Sequence, residues 1–203
     1  MARHPKFKQT KRTVALVGDG QTERIYFANV RDTDRPANLA IFPDYPRKLG
    51  SYRGVLDRAI ALKNNGYERV YALIDMDKII DEHRNAEYYQ AKQEAEQIGI
   101  IVLENNPCFE VWILLHFVRT GRLFANCDEV VVEIQKINQL ANYGKSEKFL
   151  NGAKLYENYK EQLREHAIPN ARRLEIGRQD QSERYPRAET FRFFEWYYED
   201  QGI

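Results

Sequence analysis

Val70-Tyr71-Ala72-Leu73-Ile74-Asp75-Met76-Asp77-Lys78 is the stretch that decides how this chain is read. Five apolar residues, three of them β-branched or aromatic, run straight into a pair of aspartates. A short run that is apolar at every position predicts a strand covered on both faces, as in a parallel sheet. Two residues apart on an extended segment, Asp75 and Asp77 project to one side, and Met76 turns the other way into packing.

A second run of this type, Thr13-Val14-Ala15-Leu16-Val17, leads into Gly18-Asp19-Gly20-Gln21-Thr22-Glu23 and then a helix carrying Ile25, Tyr26 and Phe27. A weaker apolar run covers 39–42, and the pattern over 55–63 predicts a helix stopped by Asn64-Asn65-Gly66. A polar-faced helix over 81–97 and a fourth strand over 100–103 complete the alternation. Strands and helices alternating with short connections imply right-handed crossovers. The fold class is therefore α/β, with a mainly parallel four-stranded sheet flanked by helices.

Beyond Leu103 the texture changes. Asn105-Asn106-Pro107 has the form of a helix start, with Asn106 as N-cap and Pro107 at the first helical position. It predicts a buried helix over 108–119. Further helices are expected over 128–140, 152–166 and 188–200, punctuated by Gly144, Pro169, Gly177 and Pro186. The organisation is a basic flexible tail (1–12), an α/β core (13–119) and a helical extension (120–203) whose last helix packs back on the core.

Composition narrows the partners. The 203 residues carry a net charge of only +1, so no global field draws the chain to nucleic acid or a membrane, and any such contact needs a local patch. The densest basic stretch outside the tail holds Arg172, Arg173, Arg178, Arg184 and Arg187, with Tyr185 among them. It is read either as a nucleic-acid contact or as a solvated face with local ion pairs. Cys108 and Cys127 form no CxxC and have no histidines at metal spacing, which argues against a disulfide scaffold and against zinc, and for a reducing cytoplasm. The N-terminus has no apolar signal core, and the most apolar stretch, 111–118, is too short to span a bilayer.

The chemistry lies in the acids. Hard divalent cations take oxygen ligands, and in an open parallel sheet the ligands gather beyond the carboxyl ends of the strands. Asp19 follows the first strand, and Asp75 and Asp77 end the third. Gly20 serves a tight turn or lets a phosphate approach a helix N-terminus. Glu23 complements the dipole of the first helical turn or touches metal. Glu110 stands in the first turn of the apolar helix, as dipole compensation or as a carboxylate reaching the site. Lys78 is a solvated lysine or a phosphate contact. His116 is read as a satisfied, partly buried histidine, and the loop over 43–53 as a border of the substrate channel.

Val17-Gly18-Asp19-Gly20-Gln21-Thr22-Glu23 resembles the xEGxTE motif that opens Toprim domains, with Asp19 where those domains carry Glu. Leu73-Ile74-Asp75-Met76-Asp77-Lys78 resembles their DxD motif. The segment ENNPCFEVWILLHF, residues 104–117, resembles the NPCFExWLLLHF segment of the RloB-like family, and Tyr143-Gly144-Lys145 is similar to a YxK element of that family. The resemblance implies a Toprim fold, Mg²⁺ with Mn²⁺ as a substitute, and a nuclease-like activity in antiphage defence, often beside an ABC-type ATPase. By position it gives Asp19 the general acid/base role and Asp75 and Asp77 the metal; the shorter Asp19 side chain is also read as a metal ligand, and Glu23, Glu110 and Lys145 are further candidates from their own places in the sequence. DNA and RNA, tRNA included, are equally eligible substrates, and a homo-oligomer is compatible with the sequence. Two other readings stand beside this one: a non-catalytic module regulating an ATPase, and a phosphatase of the haloacid dehalogenase class. The second also uses a DxD strand end, but usually places it on the first strand, whereas here it is on the third.

Overall fold

The computed structural model describes residues 11–46, 51–177 and 185–203. A five-stranded sheet in the order β2-β1-β3-β4-β5 forms its centre. The strands are β1 (Arg12–Val17), β2 (Leu39–Asp44), β3 (Arg69–Asp75), β4 (Ile100–Asn106) and β5 (Arg187–Ala188). The first four are parallel, as the alternation predicts, in an arrangement consistent with a Toprim-like fold. The fifth is an addition: it runs antiparallel to β4, pairing Ala188 with Asn105 and Arg187 with Asn106. Two residues carry no periodicity, so the sequence offers no sign of it.

From β1 the chain passes through α1 (Gln21–Asp34) to β2, then through α2 (Tyr52–Asn64) back across β1 to β3. Right-handed crossovers in opposite directions put the two helices on opposite faces. Alternate strand residues sort accordingly. Val14, Leu16, Tyr71 and Leu73 pack with Ile25, Phe27 and Val30 of α1. Ala15, Val17, Val70, Ala72 and Ile74 pack with Val55, Ala59 and Leu62 of α2. All five residues of 70–74 are at most 1% exposed. Burial on that scale contributes about 1.5–3 kcal/mol for each large apolar side chain, which fixes β3 at the centre of the sheet. The reversal of direction at β1 leaves a crevice beyond the carboxyl ends of β1 and β3.

The helix expected over 81–97 starts later, as α4 (Asn85–Gln97), and an unexpected short helix, α3 (Asp77–Asp81), precedes it across a break at His83 with φ 55°. Asn106 is not an N-cap. It completes β4 against Arg187, and its side chain donates to the Tyr185 carbonyl at 2.7 Å, so it is already engaged. The Asn106–Pro107 peptide is cis, and the helix expected over 108–119 is confined to α5 (Glu110–Leu114) with turns after it.

The remaining helices are α6 (Cys127–Gln135), α7 (Glu147–Ala153), α8 (Leu155–Gln162), α9 (Ile168–Gly177) and α10 (Phe191–Gln201), with a 3-10 turn at Asn138–Leu140. The helix expected over 152–166 is interrupted at Lys154, which takes φ 42°. Pro169 does not end it: a π-helical turn at Leu163–Ala167 carries the chain into α9 and absorbs the donor that proline lacks. The last helix does return to the core. Phe193 of α10 lies 5.4 Å from the Tyr71 ring and 5.1 Å from Phe27, edge to face. The helical half shares the core on the α1 side of the sheet instead of building its own.

Two expectations about single residues are overturned. Cys108 and Cys127 form a disulfide with Cα atoms 5.7 Å apart. Packing of α6 against α5 brings them together, and a separation of 19 residues without a motif gives no hint of it. Arg187 is not part of an exposed basic face. It is 3% exposed and pairs with the buried Glu104, which also takes Lys92 at 2.8 Å and the Tyr88 hydroxyl at 3.0 Å. Among the described residues no helix is long and apolar enough to cross a membrane.

Candidate functional site

A cavity of about 490 Å³ occupies the crevice. Asp19, Gly20, Glu23, Asp75, Asp77, Lys78, Glu110 and Lys145 all line it, although they come from four separate parts of the chain. Each is placed by its backbone. The Asp19 N–H donates to Glu23 Oε1 at 3.2 Å, and Asp19 Oδ1 accepts the Ser51 N–H at 3.1 Å. Gly20 is the extended residue before α1 and keeps the helix start open to the cavity. The position that cannot carry a side chain is Gly18, where a Cβ would lie 2.5 Å from Glu23 Cβ.

The DxD pair departs from the extended geometry expected of it. Met76 adopts helical angles, φ −94° and ψ −15°, so Asp75 closes β3 while Asp77 opens α3. Met76 is nonetheless fully buried, as expected. The turn is held from the segment after β4: the Pro107 carbonyl accepts the Met76 and Asp77 N–H groups at 3.0 Å, and the Phe109 N–H donates to Asp75 Oδ1 at 2.9 Å. Asp77 Oδ1 accepts the Lys78 N–H at 2.7 Å.

Glu110 is 1% exposed and satisfied from the helical half. Its Oε1 takes the Lys145 ammonium at 3.1 Å and the Tyr143 hydroxyl at 3.3 Å, so both outer residues of the Tyr143-Gly144-Lys145 element meet here. The Cys127 sulfur lies 3.0 Å from Glu110 Oε2.

So many carboxylates in a poorly solvated crevice raise one another's proton affinity. Burial, then the charge of Glu110, pushes Glu23 up to about 7. Asp75 is pushed well above the usual carboxylate range by burial, then by Glu23, Glu110 and Asp77, with Lys145 opposing. Asp77 is raised mainly by burial. Burial would lower the Lys145 ammonium, but Glu110, Asp75 and Glu23 together raise it.

The donors fit a hard divalent cation: they are all oxygen, they repel one another, and the cavity has room for the waters such an ion keeps. Asp19, Asp75 and Asp77 do not close into a tight cage. Among the described residues, the group whose ligand atoms lie within 4.8 Å of one another is Cys108, Glu110 and Cys127. Its sulfurs are consumed in the disulfide, leaving one carboxylate.

Other expected residues lie elsewhere. Arg172 and Arg173 are on α9 and do not line the cavity; Arg172 pairs with Glu195, and Arg173 donates to Asn170 Oδ1 at 3.3 Å. Arg178 and Arg184 fall outside the described residues, as do 1–10 of the tail and 47–50 of the expected channel border. Ser51 and Tyr52, just after that gap, do line the cavity. His116 is buried between the Tyr26 hydroxyl at 3.3 Å and the Trp112 carbonyl at 2.9 Å, and burial lowers it to about 4, so it is a neutral core residue. Sequence reasoning missed Arg84, whose guanidinium lies 5.2 Å over the Tyr52 ring at the cavity wall. Nothing in its local sequence marks it.

A family model described as RloB-like protein matches residues 14–193, from β1 into α10. No curated protein and no solved structure matches the chain.

Proposed function

The chain belongs to the RloB-like family, and we propose that its carboxylate cavity is a Mg²⁺-dependent site that cleaves nucleic-acid phosphodiesters. The observation that carries this reading is the convergence of Asp19, Glu23, Asp75, Asp77 and Glu110 on one cavity at the carboxyl ends of β1, β3 and β4. Asp75 and Asp77 would hold the ion, with Mn²⁺ as a substitute. When bound, it supplies positive charge at the phosphate oxygens, where charge grows in the transition state.

The chain's own residues do the rest. Asp19, oriented by the Ser51 N–H, takes or returns the proton of the attacking or leaving oxygen. Glu23 accepts the Asp19 N–H and so fixes the backbone that carries the Asp19 carboxylate. Lys145 neutralises Glu110 and keeps that carboxylate fixed. Lys78 and Arg84 on the cavity wall offer cations to flanking phosphates, which positions a strand without reading its sequence. A polyanionic substrate suits such a mixed wall: Lys78 and Arg84 meet its flanking phosphates, and the acidic floor would carry the cation.

Isothermal titration with MgCl₂ tests the first requirement. Wild type should bind about one ion per chain, and Asp75→Asn together with Asp77→Asn should abolish binding with the fold intact by circular dichroism. Equal binding by wild type and the double variant would refute the site.

A further inference from the structure

The Cys108–Cys127 disulfide is built into the wall of the carboxylate cavity. Cys127 lines the cavity, with its sulfur 3.0 Å from Glu110 Oε2 and 3.1 Å from Lys145 Nζ. Cys108 is buried and lies between Pro107 and Phe109, the two residues whose backbone groups hold Met76, Asp77 and Asp75. Cys127 is the first residue of α6. The disulfide is thus a covalent tie between the segment that positions the DxD pair and the helical half that supplies Lys145. Neither the proposed chemistry nor the hydrophobic core requires a disulfide at this point.

We propose that this pair is a thiol–disulfide exchange site, through which a dithiol reductant loosens the carboxylate cavity. Cys127 lines the cavity and Cys108 does not, so the Cys127 sulfur is the one an incoming thiolate approaches, with the Lys145 ammonium beside it. Attack there forms a mixed disulfide and releases the Cys108 sulfur, which takes a proton. The second thiol of the reductant then displaces Cys127, which takes the second proton, and the reductant departs as its own disulfide. Two electrons and two protons pass to the protein.

Two changes follow. A disulfide sulfur has no hydrogen to give, whereas the Cys127 thiol can donate to Glu110 Oε2 and compete with Lys145 for that carboxylate. The segment over 107–110 also loses its covalent anchor to α6, so the hydrogen bonds from Met76 and Asp77 to Pro107, and from Phe109 to Asp75, open more often. The effect on cation affinity rests on the cavity being a cation site; the effect on backbone opening does not.

The test compares the full chain in its oxidised form with the same chain reduced by a phosphine and desalted without air. Alkylation and mass spectrometry should count no free thiol before reduction and two after. Hydrogen exchange at Met76, Asp77 and Phe109 should accelerate about tenfold on reduction while β1 amides are unchanged, and Mn²⁺ affinity should fall about tenfold. Reoxidation should restore both, and Cys127→Ser should copy the reduced state. Two free thiols in the air-oxidised protein, or unchanged exchange at those three amides after reduction, would overturn the proposal. Accelerated exchange in a chain that binds no Mn²⁺ would support the tie and remove the cation reading alone.

Discussion

Replacing Glu23 with Gln should stabilise the cation-free protein at pH 8 and leave it unchanged near pH 4.5. The Glu23 carboxyl rises from 4.5 to about 7 in the folded chain because it is buried and lies near Glu110. Between those values the folded state holds a proton that the unfolded chain has released, so stability falls as pH climbs. The contribution is whole below 4.5 and lost as pH rises through 7. At about 1.4 kcal/mol per pH unit, that window amounts to roughly 3 kcal/mol, or on the order of 6–12 °C in Tm for a chain of this size. Glutamine carries no charge to repel, yet its amide oxygen can still accept the Asp19 N–H, so the variant isolates the electrostatic part. Asp75 is shifted in the same direction, so the variant should retain some pH dependence. Urea unfolding at pH 4.5, 6 and 8 in EDTA measures the difference directly. Added Mg²⁺ should shrink the advantage at pH 8 by relieving the same repulsion. A wild type equally stable at all three pH values, or a glutamine variant less stable at pH 8, would refute the reasoning.

Three further outcomes are expected. Gly18→Ala forces a Cβ to within 2.5 Å of Glu23 Cβ, an atom close to the backbone with little freedom to move; it should cost about 1–3 kcal/mol in urea unfolding. Glu104→Ala removes the buried carboxylate that Arg187, Lys92 and Tyr88 share; the loss should reach about 3–5 kcal/mol, and a change under 1 kcal/mol would contradict the view that this pair ties β5 to the sheet. Arg84→Ala should weaken nucleic-acid binding in fluorescence anisotropy and reduce the slope of log K against log salt by about one; an unchanged slope would remove Arg84 from the substrate path.

How much of this was legible follows from what kind of signal each feature leaves. The strands over 13–17 and 70–74 are written in uninterrupted apolar runs, because a sheet covered on both faces needs every residue apolar. Parallel strands put their carboxyl ends on one side of the sheet, which is why the acids that line the cavity could be named in advance, although the strand order itself could not. What was hidden depends on contacts distant in sequence. Asn106 looks like a helix cap until β5, 81 residues later, pairs Arg187 with it. Cys127 meets Cys108 only because α6 packs on α5. The turn at Met76 is imposed by Pro107, so local alternation at the DxD pair misleads. Within the basic stretch, Arg172 keeps to the solvated face with local ion pairs, matched by Glu195, whereas Arg187 is drawn into the core by the distant Glu104.

The most direct test of the central claim is a cleavage assay on plasmid DNA, single-stranded DNA and total tRNA. It compares wild type with Asp75→Ala and Asp77→Ala in Mg²⁺, Mn²⁺ and EDTA. The account predicts cutting of at least one substrate that requires the cation and is abolished in both variants. Full cutting by both variants, or cutting by wild type in EDTA, would contradict it.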